Sequence, residues 1–179
     1  MIFEESRLQF EFDVTAWKQV IHYDQEKDYN KLKNSIDNTK GVDFLGILLD
    51  HHLVFIEIKN FREDENLLKQ KLLQSDELLS IFAQKVRDTL SGIVANARNS
   101  THERTFYKEC IIIIENIEKR VDAVFWLEPH PEILISNDRK KATLQVLNRK
   151  LKKKLKWLTG RVLIISQKEN QYPIIVKPT

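Results

Sequence analysis

Stretches that alternate apolar and polar residues give way along this chain to stretches in which apolar residues recur every three or four positions, a switching that predicts an α/β fold. Leu8 to Val14 alternates and predicts a first strand. Tyr29, Leu32 and Ile36 recur at helical spacing, predicting a short amphipathic helix over residues 26–36. Val42 to Leu49 and Leu53 to Phe61 read as strands separated by Asp50-His51-His52, the pattern of an antiparallel hairpin. Leu79, Phe82, Val86, Leu90, Ile93, Val94 and Ala97 fall on one stripe of a helix over Asp76 to Arg98, with Asp76 and Glu77 suited to its first turn. Glu109 to Ile114 and Ala123 to Leu127, β-branched and aromatic, predict central strands. A second long helix follows from about Asp138 to Leu158, then a strand over Val162 to Ser166 and a tail containing Pro173 and Pro178. The order predicts one domain over residues 1–179, built as a central mixed β-sheet flanked by helices.

Successive side chains of a strand point to opposite faces, so Val54, Ile56 and Ile58 share one side while Phe55, Glu57 and Lys59 share the other. Directly opposed residues of a hairpin share a face. Pairing Leu49 with Leu53 across a three-residue turn puts Asp43 opposite Lys59 and diagonal to Glu57, whereas a two-residue turn would put Asp43 on the wrong face. Two carboxylates held close together repel unless a hard divalent cation such as Mg²⁺ takes their oxygens as ligands. Such an ion lowers the pKa of a bound water and neutralises charge on a phosphate, and a neighbouring ammonium adds to that stabilisation.

Gly41-Val42-Asp43-Phe44, then a hairpin, then Phe55-Ile56-Glu57-Ile58-Lys59 resembles the PD-(D/E)XK superfamily, which includes restriction endonucleases, junction resolvases and repair nucleases. The resemblance covers Gly41 to Arg62 firmly and the order of elements loosely as far as Arg98, with Val42 where the family often has Pro. It implies a restriction endonuclease-like αβββαβ core and metal-dependent hydrolysis of DNA phosphodiesters. Asp43 and Glu57 would ligate Mg²⁺ (or Mn²⁺), and Lys59 would be the catalytic lysine. Gln84 and Lys85 on the following helix would face the metal-bound water or the phosphate, and Asp24, Glu26 and Asp28 are candidates for a further acid from the preceding helix. The resemblance also implies a homodimer. The alternative is a catalytically inactive domain of the same kind that binds nucleic acid or a protein partner.

The formal net charge of +3 is too mild to name a partner, but its distribution adds to the picture. Arg139 to Lys156 holds many basic residues and no acid, while Leu144, Leu147, Leu151, Leu155 and Leu158 face inward. Such a one-sign face suits a phosphate backbone, so Lys141, Arg149, Lys152 and Lys153 are predicted nucleic-acid contacts, together with Lys85. The few Gly and Pro argue against flexible linkers, and Cys110 beside Ile111 to Ile114 predicts a buried, unreactive thiol. Met1-Ile2-Phe3-Glu4-Glu5 carries acid where a secretory signal carries base, and no apolar run is long enough to span a bilayer, which predicts a cytoplasmic protein with no membrane partner. His51-His52 and the Glu128, His130, Glu132 alternation lack zinc-site spacing and read as a turn and a loop. With no glycine-rich phosphate loop and no nucleophile elbow, ATP hydrolysis and serine-type acyl transfer have no support.

Overall fold

A computed structural model describes residues 1–64, 66–67, 70–71, 74–129 and 137–179, with the backbone alone described for 137–141. Strands β1 (Ile2–Glu5) and β2 (Leu8–Phe12) form a hairpin, and β3 (Trp17–His22) runs into a 3₁₀ turn at Tyr23–Gln25 and helix α1 (Lys27–Ser35). There follow β4 (Phe44–Leu48), β5 (His52–Asn60), α2 (Ser75–Asn99), α3 (Arg104–Glu115), β6 (Arg120–Glu128), α4 (Asn137–Leu155), β7 (Val162–Ile165) and β8 (Ile174–Pro178).

Two sheets result. The larger has the order β3-β4-β5-β6-β7, antiparallel across β3, β4 and β5 and parallel across β5, β6 and β7; the smaller is β1-β2-β8. The expected mixed α/β sheet with flanking helices is therefore what the chain forms. Its first helix, however, interrupts the antiparallel meander between β3 and β4, where the αβββαβ pattern has it ahead of all three strands.

The period-two alternation sorts the side chains into two cores. Leu45, Ile47, Leu53, Phe55, Ala123 and Phe125 turn to one face, where α2, α3 and α4 bring Phe82, Val86, Tyr107, Cys110 and Leu151. Phe44, Val54, Ile56, Ile58, Val124 and Trp126 turn to the other and meet Leu8, Phe10, Phe12 and Val176 of the small sheet. Edge-to-face rings seal this second layer, with Phe10 lying 5.5 Å from Trp126 and Phe12 5.3 Å from Trp17.

Glu109 to Ile114, expected as a strand, is the end of helix α3. Phe106, Tyr107, Cys110 and Ile113 are buried at helical spacing while Ile112 is exposed, so helical packing outweighs the β preference of four consecutive isoleucines. Strands β1 and β8 are additional to the expected elements, and the tail after Pro173 pairs with β2. Among the described residues no helix is long and apolar enough to cross a membrane.

Candidate active site

The site forms where β4 begins and β5 ends. The hairpin register pairs Phe44 with Ile56 and Ile47 with Leu53, so one step further along the ladder Asp43 stands opposite Glu57. This corrects the expected partner: Lys59 is the diagonal neighbour and Glu57 the direct one. The turn has the expected odd length but comprises Leu49, Asp50 and His51, with His51 at a positive φ of 61° and His52 already in β5. A three-residue turn ending in a left-handed residue preserves the parity that puts Asp43, Glu57 and Lys59 on one face.

Helices α1 and α2 clamp the entrance to β4. The Val42 N–H donates to Thr89 Oγ1 at 3.0 Å, the Lys40 N–H to Asp88 Oδ2 at 3.1 Å, and the Gly41 N–H to the Tyr29 hydroxyl at 3.0 Å. Lys85, one turn before Asp88 and Thr89, shares their helix face. Its ammonium reaches Glu57 Oε2 at 2.6 Å and Asp43 Oδ1 at 3.2 Å, spanning both carboxylates. Lys59 donates to the other Glu57 oxygen at 2.6 Å, and the Ile58 N–H donates to Asp43 Oδ2 at 2.6 Å. Glu57 and Asp43 are buried, whereas the Lys59 side chain keeps 35% of its exposure and is the cation open to a ligand.

Burial, and after it the Asp43 charge, pushes the Glu57 carboxyl up to about 7 against the pull of both lysines. Burial alone would lower the Lys85 ammonium, but Glu57 and Asp43 outweigh it and hold its pKa above the usual lysine value. A third carboxyl stands beside the pair. The Tyr23 N–H donates to Asp43 O at 2.8 Å, which leaves Asp24 one residue past the end of that pairing, and burial followed by the Asp43 charge raises Asp24 to about 6. Of the upstream acids, Asp24 is the one whose turn adjoins Asp43, while its carboxyl lies against His22. It lies in the 3₁₀ turn and is not the cap of α1, which begins after Glu26. Glu26 is raised by burial and then by Glu103, and Asp28 is tied to Lys31 at 2.9 Å.

Gln84, expected beside the metal, is directed elsewhere: its amide donates to Asn38 O at 3.0 Å and leans on Asp88. A helix turns about 100° per residue, so Gln84 is rotated away from the Asp43–Glu57 pair that Lys85 reaches. Arg149, Lys152 and Lys153 lie on α4, with Lys152 exposed, while the Lys141 side chain lies outside the described residues. On the same helix Lys154 donates to Ser80 Oγ of α2 at 2.9 Å, five residues before Lys85 and so about 7.5 Å of helix rise from it. Glu128 is occupied structurally by Trp126 Nε1 at 2.7 Å, the Gln167 N–H at 2.6 Å and Arg62 at 3.0 Å; His130 and Glu132 lie outside the described residues.

The residues that sequence reasoning missed are Glu5 and His22. The His22 ring lies 4.6 Å from Phe44, and its Nε2 stands 3.1 Å from Glu5 Oε2 and 3.4 Å from Asp24 Oδ1. Only a correct pairing of β1 with β2 and of β3 with β4 brings them together, and neither residue type nor spacing signals it. No family model, curated protein or solved structure matches this chain.

As for a metal, Asp43 and Glu57 set two carboxyls against the ammoniums of Lys59 and Lys85, and their donors are all oxygen, the set a hard dication takes. Lys85 Nζ shows that a cation fits between Asp43 and Glu57. The residues fit Mg²⁺ provided that the flexible Lys85 stem withdraws.

Proposed function

We propose that this protein is a metal-dependent nuclease of the PD-(D/E)XK kind that hydrolyses phosphodiester bonds in DNA. The observation that carries the reading is the convergence of two buried, directly opposed carboxylates, Asp43 and Glu57, on a single cation position. Asp43 and Glu57 would hold Mg²⁺ or Mn²⁺, and bound there the ion would activate a water and neutralise charge on the phosphate. Lys59, partly open to solvent and fixed to Glu57, would put its ammonium against the attacked phosphate. Lys85 is a placeholder for the metal in this reading, and once displaced it becomes a second positive charge for the phosphate oxygens. Arg149, Lys152 and Lys153 on α4 would track the polynucleotide backbone.

Purified protein with Mg²⁺ should cut DNA, measured on linear, supercoiled and single-stranded substrates. Asp43→Ala should abolish cutting, and Lys59→Ala should slow it by about 10²–10³. Cleavage that survives both substitutions would sink the assignment. A second reading has its own observation: Lys85 already closes ion pairs with both carboxylates, so the site is satisfied without a metal. In that case the domain binds nucleic acid or a protein and does not cut, and retained DNA binding with no metal-dependent cleavage on any substrate form would select it.

A further inference from the structure

Near the carboxylate pair, three donors from two segments of the chain meet at the rim of the sheet. Glu5 ends β1, His22 ends β3 and Asp24 lies in the turn that follows; one ligand atom from each lies within 4.8 Å of the others. The hydrogen bonding of this group does not balance. His22 Nε2 carries at most one proton, and its hydrogen bond goes to Glu5 Oε2 at 3.1 Å. Asp24 Oδ1 stands 3.4 Å from the same nitrogen, is itself buried, and accepts no hydrogen bond. A buried acceptor left without a donor is costly, and here it points at the one nitrogen that is already committed.

A metal ion resolves what a proton cannot. Bonds of about 2.0–2.2 Å from a first-row dication to N and O donors separate neighbouring donors by about 3.0–3.4 Å, depending on whether the geometry is octahedral or tetrahedral. The observed 3.1 and 3.4 Å separations lie within or at the ends of that range. One neutral imidazole with two carboxylates also balances a charge of two. We propose that Glu5 Oε2, His22 Nε2 and Asp24 Oδ1 form a second divalent-cation site which, through its imidazole, takes Zn²⁺ in preference to Mg²⁺. The ion ties the β1 hairpin to the 3₁₀ turn, whose Tyr23 N–H holds Asp43 O. This site goes beyond the nuclease reading and stands or falls separately from it, because its ligands include neither Asp43 nor Glu57.

The test uses the full chain stripped with chelator and titrated with Zn²⁺, following the melting temperature and the bound equivalents, with Co²⁺ absorption in the visible as a signature of a nitrogen-containing ligand set. The wild type should bind at least one equivalent, with a second only where Asp43 and Glu57 also take the ion, and melt at higher temperature, as a ligand of the native state requires. A double Asp43→Asn, Glu57→Gln variant should keep that binding and the Co²⁺ spectrum. Glu5→Gln and Asp24→Asn should each weaken it by tenfold or more. Both are partly exposed, so these variants remain informative even where His22→Asn, set against Phe44, fails to fold. Binding that vanishes in the double variant, that is unchanged in Glu5→Gln and Asp24→Asn, or that is absent from the wild type overturns the proposal.

Discussion

At the scale of single residues, the decisive contact is the Lys85 ammonium between Asp43 and Glu57. Breaking a buried ion pair by removing one partner strands the other charge, at about 3–5 kcal/mol. Lys85→Met, which keeps most of the stem volume, should therefore lower stability by about that amount in chelator at pH 8, measured by urea denaturation. Mg²⁺ should restore most of the loss in the variant and add little to the wild type, where the ion competes with Lys85. A variant that Mg²⁺ fails to rescue would speak for the ion-paired, non-cutting reading. Asp43, Glu57 and Lys59 were legible in the sequence because strand parity is a local rule, and the same rule sorted Val54, Ile56 and Ile58 onto the other face. The position of Lys85 was legible only as a neighbourhood: Gln84 and Lys85 differ by one step of helical rotation, and no apolar pattern settles which of two adjacent polar residues faces a polar site. Glu5 and His22 were invisible, since they come together through strand pairings that the sequence does not spell out.

At the scale of elements, α2 does more than cover the sheet: it carries Lys85 and grips the lead into β4 through Asp88 and Thr89. Its approach to the Asp24 turn depends on Gly92, because a Cβ added there would collide with the Tyr23 hydroxyl. That hydroxyl is buried with no hydrogen-bond partner, so the ring is placed by packing alone. Gly92→Ala should cost about 1–3 kcal/mol through overpacking, in excess of what alanine contributes to the helix. Tyr23→Phe should relieve the clash, so that the double variant melts above Gly92→Ala alone; additive losses would mean that the two residues are not in conflict. The long helix α2 was read correctly in its extent for the reason that α3 was misread, although Val94, expected on its inner stripe, is exposed. The 25-residue stripe of α2 admits one period, whereas the short run Glu109 to Ile114, apolar nearly throughout, fits either period until its neighbours decide.

At the scale of the whole molecule, the helix-covered face of the large sheet carries both the carboxylate pair and the basic outer surface of α4, with α2 touching each. Arg149, Lys152 and Lys153 all keep access to solvent, so replacing all three by alanine should leave the melting temperature nearly unchanged. DNA affinity should fall, and the slope of its logarithm against that of salt should shrink by about 0.9 for each phosphate left without its cation. An unchanged slope would place the polynucleotide elsewhere. The opposite face is closed by strands far apart in the sequence, with Leu8 paired to Pro178 and Phe12 to Ile174. As a ribosome releases the polypeptide, Asp43, Glu57 and Lys85 emerge well before β8, which completes the layer that backs the Glu5 hairpin. Nascent molecules would thus own their acidic pair before they own a finished frame around it, and stalled translation products would be the ones in which that frame never closes.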